Sequence, residues 1–139
     1  MTAQLYGEFI EAVFKGTHDF SSDTFYIMLC TSSYTPNKDT HALKTDVTNE
    51  ASGTGYTAGG KALTSLTCAY NSSTHELEID CSNVQWTTST ITAHYAVIYN
   101  YSVGSNPLVG YFDFGEDKSS SSDTFGLNIN TDGLISIPV

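Results

Sequence analysis

The stretch GYTAGGKA, Gly55 to Ala62, places Gly55, Gly60 and Lys61 at the spacing of the phosphate-binding loop G-x-x-x-x-G-K-[ST]. In such a loop, backbone N–H groups cradle phosphates, the lysine reaches their outer oxygens, and a Ser or Thr hydroxyl ligates Mg²⁺. Ala62 stands where that hydroxyl is needed. The surroundings disagree too: no apolar strand leads into Gly55, and Lys61 opens a strand-like run instead of the helix whose N-terminus would hold a phosphate. The match is read as coincidence, with the glycines supplying positive φ in a tight passage from a loop into a sheet.

The remaining reactive residues form no recognisable constellation. His18, His41, His75 and His94 show no H-x-x-x-H or H-x-E spacing, there is no C-x-x-C pair, and no G-x-S-x-G marks a nucleophile elbow. Neither a metal nor any other cofactor is expected, and the chain is read as non-enzymatic. Cys30, Cys68 and Cys81 are odd in number and lie in strand-like runs, which reads as reduced core thiols. Asp113, in YFDFG, is the one carboxylate among aromatics, a setting that disfavours the ionised form, but a single such carboxylate is read as an outward residue on an edge strand. Glu76, Glu78 and Asp80 recur at two-residue steps and read as a solvated strand face. The sequons at Asn71 and Asn100 are read as chance matches, since MTAQLYGEF lacks the order of a signal peptide and no secretory route is expected.

Composition sets the frame that must hold these residues. At 139 residues the chain is long enough for one domain, and its 40% apolar and 14% charged content, filled out with Ser, Thr and Asn, favours strands and turns. A net charge of −10 repels polyphosphates, so no nucleic acid is expected as partner. No run approaches the roughly 20 apolar residues of a membrane span, so no membrane is expected either.

Leu5, Phe9 and Val13 recur at four-residue steps and Gly16 follows at a stop position, predicting a helix over 3–15 packed against a β core. TFYIMLCT at 24–31 reads as a buried strand, and ITAHYAVIYNY at 91–101, apolar on both alternating faces, as a central one. Between them, 32–60 has little periodicity and reads as a long functional loop, with a short helical turn around DVTNE. A turn at 71–74 pairs Tyr70 with His75, Cys68 with Leu77 and Leu66 with Ile79, with both apolar sets on one buried face. LVGYFDFG is a further strand, and a TDG turn with Gly133 left-handed predicts a closing hairpin pairing Ile129 with Ile135 and Leu127 with Ile137. The whole reads as mainly β, an antiparallel β-sandwich or jelly-roll-like domain with one N-terminal helix.

Nine tyrosines, seven phenylalanines and one tryptophan exceed the needs of a small core, and tyrosine favours interfaces. Tyr34 with the neighbouring Pro36, Tyr56, Tyr101 and Tyr111 are the candidate partner-binding residues. Exposed aromatics in a groove also serve glycan binders, so a tail or fibre module that binds host-surface glycans is the alternative reading.

The order of parts carries a resemblance. The N-terminal helix, TFYIMLCTSSYTPN, EASGTGYTAGGKALT, VQWTTSTITAHYAVIYN and PLVGYFDFG resemble a group of small virion proteins of tailed bacteriophages over roughly residues 5–135. GYTAGG followed by Trp86 and then YAVIYN is its most specific part. The resemblance implies a structural protein without catalytic residues, most like a capsid decoration or cement protein. Its partners would be the phage major capsid protein and further copies of itself, a homotrimer matching the three-fold junctions of a shell. It would be made in the bacterial host cytoplasm and end on the capsid surface, with the 32–60 loop as its contact.

Overall fold

The computed structural model describes residues 2–129 and 133–139. The chain is mainly β with one N-terminal helix, as the strand-forming composition dictates. Its elements are β1 (Gln4–Leu5), α1 (Gly7–Phe14), β2 (Phe25–Cys30), β3 (Lys61–Ala62), β4 (Thr67–Asn71), β5 (Glu76–Asp80), β6 (Val84–Ser89), β7 (Thr92–Asn100), β8 (Leu108–Ser119), β9 (Asp123–Leu127) and β10 (Ile135–Pro138). They form an antiparallel five-stranded sheet in the order β1-β8-β7-β2-β3, a three-stranded sheet β10-β5-β4 and a β6-β9 pair.

Alternation along β2 and β7 explains the layering. Phe25, Ile27 and Leu29 point to one side with Ala96 and Ile98, where they pack with Ile79 and Ile135 of the three-stranded sheet and Trp86, Phe125 and Leu127 of the β6-β9 pair. Met28 and Cys30 point to the other side with Val97, Tyr99 and Leu108 of β8, and there the cover is Tyr6 and Tyr34. Both faces of the central strands are therefore largely covered, which is why the 91–101 run reads apolar on both alternating faces. The layer on the first side is a sandwich of sheets. The layer on the second is largely the long 31–60 segment, which contains one 3₁₀ turn, Lys44–Asp46, just ahead of the DVTNE stretch where a turn was expected.

Four expectations need correction. The helix starts at Gly7, not residue 3: Leu5 packs into the first core and Tyr6 into the second, on opposite sides of the sheet, and only a strand sends neighbouring side chains to opposite faces. The β4–β5 hairpin pairs Tyr70 with Leu77 and Cys68 with Ile79, two residues from the expected register. Its turn spans Ser72–His75, because Asn71 stays in the strand and its Oδ1 accepts the N–H groups of Ser73 and Thr74 (2.9 and 3.4 Å), while His75 takes a φ of 60°. A slip of two preserves facing, so Cys68 and Leu77 still share a side. That side is less buried than expected, however: Leu66 and Leu77 are half-buried, and Cys68 is exposed while Cys30 and Cys81 are buried.

The closing hairpin is the fourth. Ile135 pairs with Ile79 and Ile137 with Leu77, so β10 completes the β5 sheet, while Leu127 pairs with Val84 and Phe125 with Trp86. Alternation assigned the faces of these residues correctly but not their partners, because every apolar alternating strand satisfies the same pattern. Gly133 does take a φ of 80°; Thr131 and Asp132 of the expected turn lie outside the described residues.

Candidate interaction surface

The GYTAGGKA glycines act as the turn reading requires. Gly55, Gly59 and Gly60 have φ of 80°, 92° and 81°, and a Cβ on Gly60 would lie 1.9 Å from the Ile27 carbonyl oxygen. Lys61 opens β3 and donates from Nζ to the Gln85 carbonyl at 2.6 Å, a staple between the loop and β6.

The rest of the long segment is tied down from within. The Glu50 carboxylate accepts from the Tyr56 hydroxyl at 2.7 Å and the Gly59 N–H at 2.6 Å; Tyr56 in turn accepts from the Leu29 N–H at 2.9 Å. Tyr99 reaches out of the sheet and donates to the Gly59 carbonyl at 2.7 Å, and burial pushes its phenol up to about 12. Backbone bonds Thr31 N–H to Asn49 C=O (2.9 Å) and Ala51 N–H to Leu29 C=O (2.8 Å) add the segment to the sheet beside β2. Asp46 caps the 3₁₀ turn by accepting from the Ala42 and Leu43 N–H groups, which hold its carboxyl below the usual carboxylate range.

These ties decide the roles of the candidate tyrosines. Tyr34 is 1% exposed, its hydroxyl 2.8 Å from that of Tyr6 and 3.0 Å from His41 Nδ1, and burial pushes it up to about 12. Its ring thus offers no contact area, contrary to expectation: the flat side chain is used to cover Cys30 and Val97. Tyr56 is spent on the Glu50 anchor, and Pro36 is half-buried. Tyr111 is half-buried, lies 5.2 Å from the Tyr6 ring and donates to Gln4 Oε1 at 2.8 Å. Tyr101 alone presents its ring, 56% exposed and stacked at 4.3 Å on Tyr26. Tyr34 and Tyr111 thus gather around Tyr6, while Tyr56 and Tyr101 lie apart from that cluster.

His94 is the centre of the most chemical-looking cluster. Its Nδ1 lies 2.8 Å from Asp117 Oδ1 and its Nε2 3.5 Å from Asp113 Oδ1. A general base that activates a hydroxyl needs one ring nitrogen on the carboxylate and the other on the nucleophile. Here both nitrogens face carboxylates, so the ring ties β7 to Asp113 and Asp117 of β8 and leaves no nitrogen for a nucleophile. Asp113 is exposed, as read from the sequence, but β8 is not the edge strand expected: it lies between β1 and β7, and Asp113 falls past the two residues that β1 pairs. Among the described residues no group of three or more His, Cys, Asp or Glu is arranged to hold a metal ion, and no helix is long and apolar enough to cross a membrane. Asn100, one of the two sequons, is fully buried and donates to Asp23 at 2.7 Å.

Sequence reasoning missed an apolar groove between α1 and the three-stranded sheet. It encloses about 280 Å³ and is lined by side chains such as Ile10, Val13, Phe14, Cys68, Leu77 and Ile137. Phe14 stands 87% exposed at its rim. The signal was present in the helix, where Ile10, Val13 and Phe14 widen the apolar stripe beyond what Phe9 alone buries. Comparison with protein-family models, curated proteins and solved structures gives no match.

Proposed function

We propose that this chain is a non-enzymatic structural component of a tailed-phage virion that decorates and stabilises the capsid by binding the major capsid protein from outside. The observation that supports it most is the construction of the 31–60 segment. Its inward residues, Tyr34, Glu50, Tyr56 and Gly59, anchor it to the sheet, while Lys38, Asp39, Thr40, Thr45 and Thr54 remain exposed on its outer face. A polar surface held rigid before contact loses little conformational freedom on docking. The anchors Tyr56 and Gly59 belong to the GYTAGG stretch that carries the resemblance to phage virion proteins. Self-association multiplies modest contacts into avidity, and a trimer matches the three-fold junctions of a shell as a dimer matches its two-fold positions.

The test is co-sedimentation of the purified chain with empty capsids assembled from the major capsid protein of the same phage. The chain pellets with the capsids in a saturable ratio; a chain that stays in the supernatant at every ratio overturns the reading. The stacked Tyr26–Tyr101 pair favours the second reading, a tail or fibre module for host-surface glycans. That reading requires glycan binding that Tyr101→Ala abolishes.

A further inference from the structure

β4 is an edge strand: among the described residues only β5 pairs with it. Which of its backbone groups face outward follows from the ladder. The Val139 N–H bonds the His75 carbonyl at 3.0 Å, and backbone direction alternates along a strand, so Leu77 and Ile79 turn toward β10 while Glu76, Glu78 and Asp80 turn toward β4. Thr67, Ala69 and Asn71 therefore bond to β5, and the N–H and C=O groups of Cys68 and Tyr70 face the open edge. Edge strands are normally protected by a charge, a proline or a bulge. β4 reads Thr-Cys-Ala-Tyr-Asn, pairs with β5 in unbroken register, and has none of these.

We propose that β4 pairs antiparallel with β4 of a second copy across a two-fold axis, joining two three-stranded sheets into one of six. Charge selects the occupant. Two molecules of net charge −10 approach most easily through uncharged segments; β4 itself carries no charged residue and the groove beside Cys68 is lined by apolar side chains, while Glu76, Glu78 and Asp80 pair with Asn71, Ala69 and Thr67 on the opposite face of the sheet.

Full overlap of two five-residue strands places Ala69 on the axis and Cys68 opposite Tyr70 of the second copy. Paired residues point to the same face of a sheet. Tyr70 of each copy thus lies beside Cys68 of the other, at the mouth of the apolar groove, and covers it. This gives a use to a tyrosine that is 55% exposed in the single chain and to a thiol left exposed on an apolar face.

The inference rests on the self-association in the reading above but not on capsid attachment, and its test uses the purified full chain without capsids, so the two fail separately. Light scattering under reducing conditions gives twice the 15.0 kDa chain mass. Ala69→Cys in a Cys68→Ser background forms a disulfide-linked dimer on mild oxidation, because the two-fold pair at 69 is a non-hydrogen-bonded one with Cα atoms about 4.5 Å apart, within disulfide reach. Tyr70→Lys, which sets like charges at the edge, runs as a monomer with an unchanged circular dichroism spectrum. A monomeric or trimeric mass for the unmodified chain overturns the proposal, as does a dimer that Ala69→Cys fails to cross-link. Should Tyr70→Lys fold poorly, the cross-link at exposed Ala69 decides alone.

Discussion

His18 is buried between the Phe9, Phe20 and Phe25 rings, with its Nδ1 3.2 Å from the Asn100 amide nitrogen and its Nε2 without a hydrogen-bond partner among the described residues. Asn100 donates to Nδ1, so the proton of the neutral ring sits on Nε2, among aromatic faces. Burial lowers the pKa, and nearby Asp23 opposes the shift without cancelling it. The sign follows from linkage: the unfolded chain takes up the proton near the ordinary value of about 6.5, the folded one only at lower pH, so His18 contributes its stability above about pH 6.5 and loses it as pH falls through the folded value. Carboxylates also weaken the fold in acid, and a difference measurement isolates the histidine. Denaturant midpoints of the native chain and His18→Phe should hold a constant offset above about pH 7 and diverge as pH falls below about 6.5, the native chain losing more. Parallel profiles across that range would show that the ring titrates normally. Nothing in the sequence marks His18 as the buried one of four histidines, since burial here depends on three phenylalanines from α1, the following loop and β2 meeting in space.

At the level of elements, Gly60 illustrates how much the entry into β3 depends on one position. The backbone passes so close to β2 that an added Cβ would meet the Ile27 carbonyl oxygen at 1.9 Å, and φ is 81° besides. Gly60→Ala must displace either β3 or the central strand and carries left-handed strain, a combined cost of roughly 3 kcal/mol. Gly16→Ala makes a fair control, because its φ is also 81° but no atom lies within 4 Å, so strain of about 1 kcal/mol is the only cost. Equal losses in thermal unfolding for the two variants would refute the close approach. The tight passage was legible in GYTAGGKA, and so were the central strand, the buried face of β2 and the stop of the helix, because each is written in local spacing. Strand partnership was not. Ile135 could satisfy its alternation against Ile129 or Ile79, and only the demand of β5 for a second neighbour chooses between them. The register of β4 on β5 was lost through one side chain: Asn71 looked like a turn residue and serves the turn from inside the strand.

For the molecule as a whole, the 31–60 segment is less a loop than the second cover of the central sheet, which bears on how its outer surface can be tested. Its lack of periodicity matched a largely irregular path with one short 3₁₀ turn but could not reveal that Tyr34, Glu50 and Tyr56 point inward, since an irregular chain has no repeating face. Deleting residues 37–50 would remove the Glu50 carboxylate from Tyr56 and Gly59, the Ala42 carbonyl from the Leu108 N–H (2.8 Å), the Lys38 carbonyl from the Gly7 N–H (2.8 Å), and Val47 from its place against the Met28 and Tyr99 cluster. Losing buried partners at about 1–3 kcal/mol each and an apolar side chain at about 1.5 kcal/mol brings the total to at least about 5 kcal/mol. That equals the lower end of the stability of an entire domain, about 5–15 kcal/mol. The deletion variant is therefore expected to lose cooperative unfolding, and any loss of capsid binding in it would report unfolding instead of a missing contact. Thr40→Lys and Thr45→Lys alter exposed residues of the same segment, should stay within about 0.5 kcal/mol of the native chain, and are the variants that can separate docking from folding. A 37–50 deletion that unfolded cooperatively at the native midpoint would show that the segment covers nothing the core requires.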